Sequence, residues 1–485
     1  MVKNAFTATR AQWLVLIAMT GSLSMIMLDQ TVVTVALPSM TRDLHLSADA
    51  QQWVVNAYVL AMAALVACGG KLGDLIGRVT TFRLGVLIFF LSSVACGLAP
   101  NAPVLLLARV AQGVGAALMM PATSAIMVGT FALKQRGRAM AMYAGLSQVF
   151  LAAGPLLGGL LTEWVSWRAV FWLNVPVGIA ALVMVHVAKP DNASLTKGRL
   201  RTSDVALLTL GIGALVVGVQ QANTWGWGSA WTLGSILGGI GLTAGFCWSQ
   251  LKSRDPLLNI RLFSRRPFTA DSTVMGLLQF ALVPIVLYTS LYAQNLLGFS
   301  PVIAGVAALP LVVPITIAAQ FGGRWFDRAG VRQPVLTGLA IGTLGVVARA
   351  VALPSLSYWP SVPGMVLMGI GLGLTISPTN TDSLNRVAAP ERGQASGLVQ
   401  TVRQLGGTLG LAVVGAVIAA LVPTTPSASA AHQTAHAFEI GFLVAAAAAA
   451  VALLVGWRYL ARGTQVDEVV LPSSAPNILI PSSAD

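Results

Sequence analysis

The chain has 485 residues, of which 56% are hydrophobic and only 9% are charged, and its mean hydropathy is +0.78. Soluble globular domains carry about 25% charged residues, so this composition excludes a soluble protein and indicates a polytopic membrane protein. The net charge of +13 then reflects the Lys and Arg that collect in the inner loops of membrane proteins, rather than a nucleic-acid-binding surface.

Fourteen apolar runs are long enough to cross a membrane, at roughly twenty residues for each crossing. The first run is too long for the apolar core of a signal peptide and is predicted to be a permanent span. We place the spans at 13–35, 50–69, 82–98, 103–129, 138–161, 168–188, 204–221, 230–249, 269–293, 301–320, 335–352, 361–378, 396–419 and 438–460. Because their number is even, both termini are predicted on one side. Most Lys and Arg fall on that side, so we expect cytoplasmic termini and an inner (cytoplasmic) membrane location.

The first and fourth spans each hold a charged side chain far from their ends. Asp29 and Arg109 both lie about six residues below the outer ends of their helices, and Gln112 lies close to Arg109. Charges inside a membrane are costly, so this group is a candidate functional site. A carboxyl group beside an arginine can bind and release a proton as its surroundings change, as proton-coupled export requires. The alternative is a static ion pair that only fixes helix packing.

The loop between the second and third spans is short, charged and rich in glycine. Its candidate gating residues are Gly70, Gly73, Asp74, Gly77 and Arg78. The same layout recurs 253 positions later, where Asp327 corresponds to Asp74. A second match, of residues 136–137 with 392–393, has an offset of 256 positions. Like motifs at a fixed offset indicate an internal repeat.

The repeat predicts the architecture, because the offset covers eight spans. The fold class is therefore an all-α polytopic membrane protein in which two six-helix bundles, spans 1–6 and 9–14, flank two inserted helices. Two parallel repeats around a midplane site are typical of secondary transporters. The expected divisions are an N-terminal cytoplasmic tail 1–12, a first bundle 13–188, a linker with the inserted helices 189–268, a second bundle 269–460 and a disordered cytoplasmic tail 461–485.

The fifth span carries a glycine- and proline-rich stretch. Its candidate residues are Gly154, Pro155, Gly158 and Gly159. Proline removes a backbone donor and kinks a helix, and glycines allow close helix contact. The stretch predicts a hinge or a close seam between the two halves, although ordinary close packing of helices would use the same residues.

Several polar and aromatic residues are candidates to line a substrate cavity between the halves. They are Gln148, Gln279, Phe280, Tyr288, Tyr292 and Arg403. For Arg403, extension toward the inner membrane surface is an equal alternative. The acids Asp271 and Asp382 lie near inner helix ends, where we expect them to be solvated.

The sequence indicates no cofactor and no metal. Cys68, Cys96 and Cys247 lie inside apolar runs, where cysteine behaves as a small buried hydrophobe. A Gly-x-x-x-x-Gly-Lys-Ser/Thr loop is absent, so we do not expect ATP to drive transport. We also do not expect an enzyme, because the sequence lacks a His or carboxylate cluster at a membrane interface.

Four stretches have the spacing found in one transporter family. They are 28–38 in the first span, the loop 70–78, 105–117 in the fourth span and 154–159 in the fifth. Together they resemble the major facilitator superfamily, in its fourteen-helix drug:proton antiporter branch. The resemblance implies that Asp29 is the coupling carboxylate with Arg109 as its modulator, that Asp74 and Arg78 hold an inner gate, and that 154–159 is the antiporter motif.

The same resemblance implies proton-driven export of amphipathic drugs or antibiotics by alternating access. The implied partners are a small amphipathic substrate, protons and membrane lipid, without nucleic acid, and the implied functional unit is a monomer. Alternatives within transport are an exporter of a specific lipid, siderophore or metabolite, or a proton symporter, against which the fifth-span motif argues. Alternatives from other classes are a membrane enzyme and a ligand-responsive sensor, but no loop is long enough to supply an output domain.

Overall fold

The computed structural model describes residues 8–191, 201–253, 256–388, 391–422 and 430–463, and these residues form α-helices with short connections and no strand. The helices are α1 (Arg10–Leu44), α2 (Ala48–Ile76), α3 (Arg78–Gly97), α4 (Ala102–Thr130), α5 (Leu133–Trp164), α6 (Trp167–Trp172), α7 (Asn174–Ala188), α8 (Thr202–Trp225), α9 (Ala230–Lys252), α10 (Arg266–Asn295), α11 (Pro301–Val306), α12 (Leu309–Ala329), α13 (Arg332–Ala352), α14 (Val362–Asn385), α15 (Arg392–Leu421) and α16 (Ala430–Tyr459).

The described helices provide the predicted number of spans. Thirteen are long and apolar enough to cross a membrane, when α6 with α7 and α11 with α12 are each taken as one span. The fourteenth is α5, whose two parts, 135–151 and 156–164, meet at an angle of 46°. The helices are longer than the apolar runs because polar residues extend them. For example, α1 begins with a capping box in which Thr9 and Gln12 exchange side-chain and backbone hydrogen bonds.

Two short turns between spans use glycine with a positive φ. Gly77 joins α2 to α3 with a φ of 94°, and Gly330 joins α12 to α13 with a φ of 78°. A residue with a Cβ atom is strained at a positive φ, which explains why both repeats have glycine at this position. We call the membrane face that carries these two turns the loop face. The helices α5, α10 and α15 begin at the loop face, and α4 and α14 end there.

The helices pack as two bundles of the same design. In the first bundle, α4 packs against α2 and α3, while α5 packs against α1. In the second bundle, α14 packs against α12 and α13, while α15 packs against α10. The bundles meet along two matching seams, where α2 packs against α15 and α12 packs against α5. The two-bundle fold predicted from the internal repeat is therefore confirmed.

The inserted helices α8 and α9 form a hairpin beside the first of these seams. They pack against each other, and α8 also contacts α2 and α15. Only 17% of the apolar window of α9 is buried, so this helix faces lipid along most of its length. The inserted pair therefore lies outside the two-bundle core and contributes nothing to the buried charges described below.

Candidate functional site

Asp29, Arg109 and Gln112 form a closed polar triangle between α1 and α4. All three side chains are buried. The Oδ2 atom of Asp29 accepts a hydrogen bond from Arg109 Nη1 at 2.5 Å, and its Oδ1 atom accepts one from Gln112 Nε2 at 2.9 Å. Arg109 Nη1 also donates to Gln112 Oε1 at 2.6 Å. The structure thus brings together the three residues that the sequence singled out by depth.

Arg109 is also anchored to α2, independently of Asp29. Its Nε atom donates to the carbonyl oxygen of Val54 at 2.8 Å, and its guanidinium lies 4.5 Å from the ring centre of Tyr58. A desolvated cation–π contact of this kind is worth about 2 kcal/mol. The Arg109 charge therefore keeps two favourable contacts when the charge of Asp29 is neutralised.

Two partners of this network were not found by sequence reasoning. Gln112 Nε2 donates to Ser93 Oγ on α3 at 2.9 Å, and Asn174 Nδ2 on α7 donates to the same oxygen at 3.3 Å. Ser93 and Asn174 are single small polar residues inside apolar runs, a pattern too common to mark a site. Through them the Asp29 network includes α1, α2, α3, α4 and α7 of the first bundle.

At the loop face, Asp74 joins the first bundle to the second. Its Oδ1 atom accepts the backbone N–H of Gly393 at 3.2 Å, and its Oδ2 atom accepts that of Gln394 at 2.9 Å. A carboxylate at the start of α15 satisfies free backbone donors and interacts favourably with the helix dipole. Arg78 Nη2 lies 3.5 Å from Asp74 Oδ1 and forms an ion pair with it.

In the second repeat the roles are exchanged, because the second bundle supplies the acid and the first bundle supplies the helix start. Asp327, at the end of α12, accepts the backbone N–H of Gly137 near the start of α5 at 3.1 Å. Both helix starts must be glycine, because a Cβ atom at Gly393 would lie 2.3 Å from Asp74 Oδ1 and one at Gly137 would lie 2.4 Å from Asp327 Oδ1. Each gating acid therefore binds the glycine of one residue pair that the sequence marked as the second repeat motif.

Close backbone contacts and further hydrogen bonds reinforce both seams. A Cβ atom at Gly70 would lie 2.3 Å from the carbonyl oxygen of Gly393. Arg136 Nη1 on α5 donates to Asn385 Oδ1 on α14 at 3.0 Å, and Lys71 Nζ donates to the carbonyl oxygen of Pro256 at 3.0 Å. The two bundles are thus held together at the loop face. Gly73 makes only ordinary contacts, the nearest being 3.7 Å from the site of a Cβ atom to Arg78 Cγ.

Gly154 and Gly158 of α5 contact α1 within the first bundle, which agrees with the close-packing alternative and not with a seam between the halves. A Cβ atom at Gly154 would lie 1.8 Å from Thr31 Oγ1, and one at Gly158 would lie 2.9 Å from the carbonyl oxygen of Val32. Thr31 also donates to the carbonyl oxygen of Leu151 at 2.8 Å. The bend in α5 lies between residues 151 and 156 and therefore includes Pro155, whose side chain lies outside the described part of the structure. Gly159 is half-buried. Close α1–α5 packing therefore explains Gly154 and Gly158.

We predict that Gly154→Ala strongly destabilises the protein, because its methyl group would force α1 and α5 apart beside Asp29. Overpacking of this kind costs about 1–3 kcal/mol. The matched control is Gly241→Ala on α9, where a Cβ atom would meet nothing within 4 Å. Thermal unfolding of the purified variants should show a lower midpoint for Gly154→Ala alone. Equal midpoints for the two variants would contradict the packing described here.

The structure separates the predicted cavity residues. Tyr292 is buried in the core of the second bundle and donates to the carbonyl oxygen of Leu353 at 2.6 Å, so its place in a cavity stays a prediction. Tyr288 packs edge-on against Phe438 in the same bundle. Gln279 and Phe280 are half-buried and face α15 with their backbones. The side chain of Gln148 lies outside the described part of the structure.

Arg403 lies on α15 and is half-buried. Its Nη1 atom donates to Gln400 Oε1 at 3.1 Å, and among the described residues its buried Nε atom has no hydrogen-bond acceptor. The guanidinium also interacts electrostatically with Tyr143 on α5, whose hydroxyl shares a hydrogen bond with Thr123 at 2.8 Å. The side chain thus turns toward the first bundle rather than toward the membrane surface.

Asp271 and Asp382 are buried, which corrects the expectation that they are solvated. Asp382, near the end of α14, accepts two hydrogen bonds from Arg386, at 2.5 and 3.1 Å. Asp271, in the second turn of α10, lies 3.9 Å from the same arginine. Sequence reasoning placed them by distance along the helix, but the surrounding helices cover both side chains almost completely.

Comparison with known proteins gives a consistent result. The family model described as Major Facilitator Superfamily matches residues 19–411. The tetracenomycin C resistance and export protein of Streptomyces glaucescens is 34% identical over 418 residues, which are 84% of this chain and 76% of that protein. The puromycin resistance protein pur8 of Streptomyces alboniger is 32% identical over 483 residues, which are 96% of this chain and 95% of that protein.

The fold also matches solved structures. The proton:xylose symporter XylE, bound to 6-bromo-6-deoxy-D-glucose, superimposes with a TM-score of 0.64. The alignment covers 93% of this chain and 96% of the symporter, at 14% sequence identity. At 14% sequence identity the similarity establishes the fold alone and does not indicate the substrate of this chain.

Proposed function

Because the chain belongs to the Major Facilitator Superfamily, whose members are transporters rather than enzymes, we propose that it exports amphipathic drugs or antibiotics in exchange for protons. The observation that carries this proposal is the buried triangle of Asp29, Arg109 and Gln112. Relatives that are named as antibiotic resistance and export proteins support the outward direction of transport and the substrate class.

The proton is proposed to act by changing how firmly α1 is bound to α4. When Asp29 is ionised, its ion pair with Arg109 ties the two helices together. When Asp29 accepts a proton, that ion pair is lost, while Arg109 keeps its contacts with Val54 and Tyr58. Charge interactions are strong in this low-dielectric site, so one proton can shift the equilibrium between two arrangements of the bundles.

The loop face is proposed to be the cytoplasmic face of the inner membrane. Supporting this orientation, most Lys and Arg lie in loops on that side. The contacts of Asp74, Asp327 and Arg136 then close the cytoplasmic side, as expected for an outward-facing state. In this state Asp29 would receive its proton from outside, past the half-buried Gln30 and the exposed Thr34.

The proposal is tested with everted membrane vesicles that hold a proton gradient. Adding puromycin as the probe should dissipate the gradient in vesicles that contain the protein, because each substrate molecule enters the lumen as protons leave. The control is vesicles from the same host without the protein. An unchanged gradient across a panel of amphipathic antibiotics, or a gradient dissipated only when substrate is added inside, would contradict drug:proton antiport.

Arg403 is proposed to contact substrate, which predicts that its replacement affects anionic and cationic substrates differently. Replacing it in Arg403→Gln should raise the KM for anionic amphiphiles about 10- to 100-fold, since a hydrogen bond to a charged group is worth about 1.5–3 kcal/mol. The KM for cationic amphiphiles should not rise. The control is Arg42→Gln at the exposed end of α1. Equal losses for anions and cations would indicate a structural role for Arg403 instead.

A further inference from the structure

Arg349 is a second buried arginine, near the end of α13 that lies opposite the loop face. Its relative exposure is only 2%, so its side chain does not extend to the membrane surface. Its Nε and Nη1 atoms are buried and have no hydrogen-bond acceptor among the described residues. None of the ion pairs between described residues includes it. The second bundle thus encloses a positive charge that nothing in the described part of the chain neutralises.

The groups that face Arg349 from the neighbouring elements are uncharged. On α16, the ring centre of Phe442 lies 5.4 Å from the guanidinium carbon. On α14, a Cβ atom at Gly364 would lie 2.8 Å from Arg349 Cβ, so the two helices are in close contact. Tyr292 and Tyr358 are near enough to interact electrostatically, and both hydroxyl groups donate to backbone carbonyl oxygens, at 2.6 and 3.1 Å. A tyrosine hydroxyl is neutral at physiological pH, so these contacts do not balance the charge.

The internal repeat shows which group the second bundle lacks. By the offset of 253 positions, Arg349 corresponds to Cys96, whose Sγ atom lies 3.9 Å from Gln112 Oε1 in the Asp29 network. Offsets of 253 to 256 positions place the equivalent of Asp29 at residues 282–285, which are Leu-Val-Pro-Ile. The second bundle therefore has a cation at this repeat position but no carboxylate to pair with it.

A buried charge of this kind requires an anion. Arginine stays protonated in proteins, and leaving its charge unpaired away from water is costly. The one acid of α16, Glu439, lies with its carboxylate 2.6 Å from His436 Nδ1 and is therefore already engaged. The anion that neutralises Arg349 is thus expected to come from solution or from the membrane.

We propose that Arg349 binds one small monovalent anion, of which chloride is the physiological example. One negative charge balances the guanidinium, and the buried N–H groups at Nε and Nη1 donate hydrogen bonds to it. An ion of this size can be enclosed at a side chain that is 2% exposed, whereas a carboxylate or a phosphate brings an attached organic group with it. The bound ion stabilises the second bundle at α13 and is independent of the Asp29 network in the first bundle.

The test is thermal unfolding of the purified, delipidated full-length protein in sodium chloride and in sodium gluconate at equal ionic strength. The midpoint of the parent should rise with chloride concentration, as expected for a ligand that binds only the folded state, and should not rise with gluconate, which is too bulky to enter. Arg349→Met should lose this chloride dependence. In gluconate it should unfold at a higher temperature than the parent, because methionine has a similar length without the unpaired charge. The control, Arg42→Gln at the exposed end of α1, should behave as the parent does.

Each result decides for or against the site. Equal midpoints of the parent in chloride and gluconate overturn the proposal, and so does a chloride dependence that survives in Arg349→Met. A midpoint that rises with added phosphatidylglycerol but not with chloride also overturns it, because the arginine would then bind a lipid phosphate. If Arg349→Met does not fold, crystals of the parent grown in bromide decide, since they should show an anomalous difference peak beside the guanidinium. Neither measurement needs transport, so failure of the antiport assay would leave both interpretable.

Discussion

Replacing Asp29 with asparagine is expected to abolish proton-driven efflux, while the protein still inserts, folds and binds substrate. Asparagine has the shape of aspartate but cannot exchange a proton, so the gradient can no longer be coupled to export. Drug accumulation in cells expressing the variant should equal that in the pump-deficient host. Downhill substrate exchange in vesicles without a gradient should continue, since the two bundles can still move.

The structure explains why this variant should remain folded. Removing one partner of a buried ion pair costs about 3–5 kcal/mol when the remaining charge is left without contacts. Here Arg109 keeps the Val54 carbonyl, Gln112 and the Tyr58 ring. The proposed cycle also passes through a state in which Asp29 is neutral, and Asp29→Asn resembles that state.

A matched control is Asp43→Asn on the same helix. Asp43 also pairs with an arginine, Arg168, but its side chain is 47% exposed at the end of α1. We expect Asp43→Asn to keep uphill efflux, because exposed ion pairs contribute little. Uphill efflux that persists in Asp29→Asn and retains its dependence on the gradient would refute the coupling role of Asp29.

The parts of the fold that sequence analysis predicted correctly are those set by local patterns. Apolar runs determine the number of spans, because lipid requires about twenty apolar residues for each crossing. The fixed offset between Asp74 and Asp327 predicted the two bundles, since repeated motifs occupy equivalent positions. The common depth of Asp29 and Arg109 predicted their encounter, because two charges at one depth in lipid are stabilised by contact.

The parts that were missed depend on which helices become neighbours. Asp271 and Asp382 are close to helix ends in the sequence, yet helices distant in the chain cover both side chains. For Gly154 the sequence left a hinge, a seam between the halves and ordinary close packing open, and its neighbour is Thr31 of the same bundle. Periodicity marks the small or polar face of a helix without identifying the helix that covers it.

The repeat also explains an arrangement that neither half shows alone. Asp74 binds the start of α15, and Asp327 binds the start of α5, so each bundle supplies one acid and one helix start. The two connections lie on the two seams between the bundles. Because both must break before the bundles can separate at the loop face, their free energies add in setting the balance between closed and open states.

We therefore predict that the double variant Asp74→Asn/Asp327→Asn opens the loop face in the absence of substrate. Hydrogen bonds to a charged group contribute about 1.5–3 kcal/mol, so losing the charge at both seams should shift the equilibrium about 100-fold or more toward the open state. Spin labels on Ala132→Cys and Ala388→Cys, both exposed at the loop face, should report a longer distance between the bundles. Uphill efflux should fall with this shift.

The two single variants provide the internal control for this prediction. Each removes the acid of one seam and leaves the other closed, so each should shift the label distance only partly, and the free-energy changes obtained from the open populations of the two should add to that of the double variant. Each acid binds two backbone donors and interacts with one arginine, Arg78 for Asp74 and Arg138 for Asp327, so the two single variants should have effects of similar size. A double variant that keeps the short label distance would show that the glycine seams alone close the loop face, and that the acids serve another purpose.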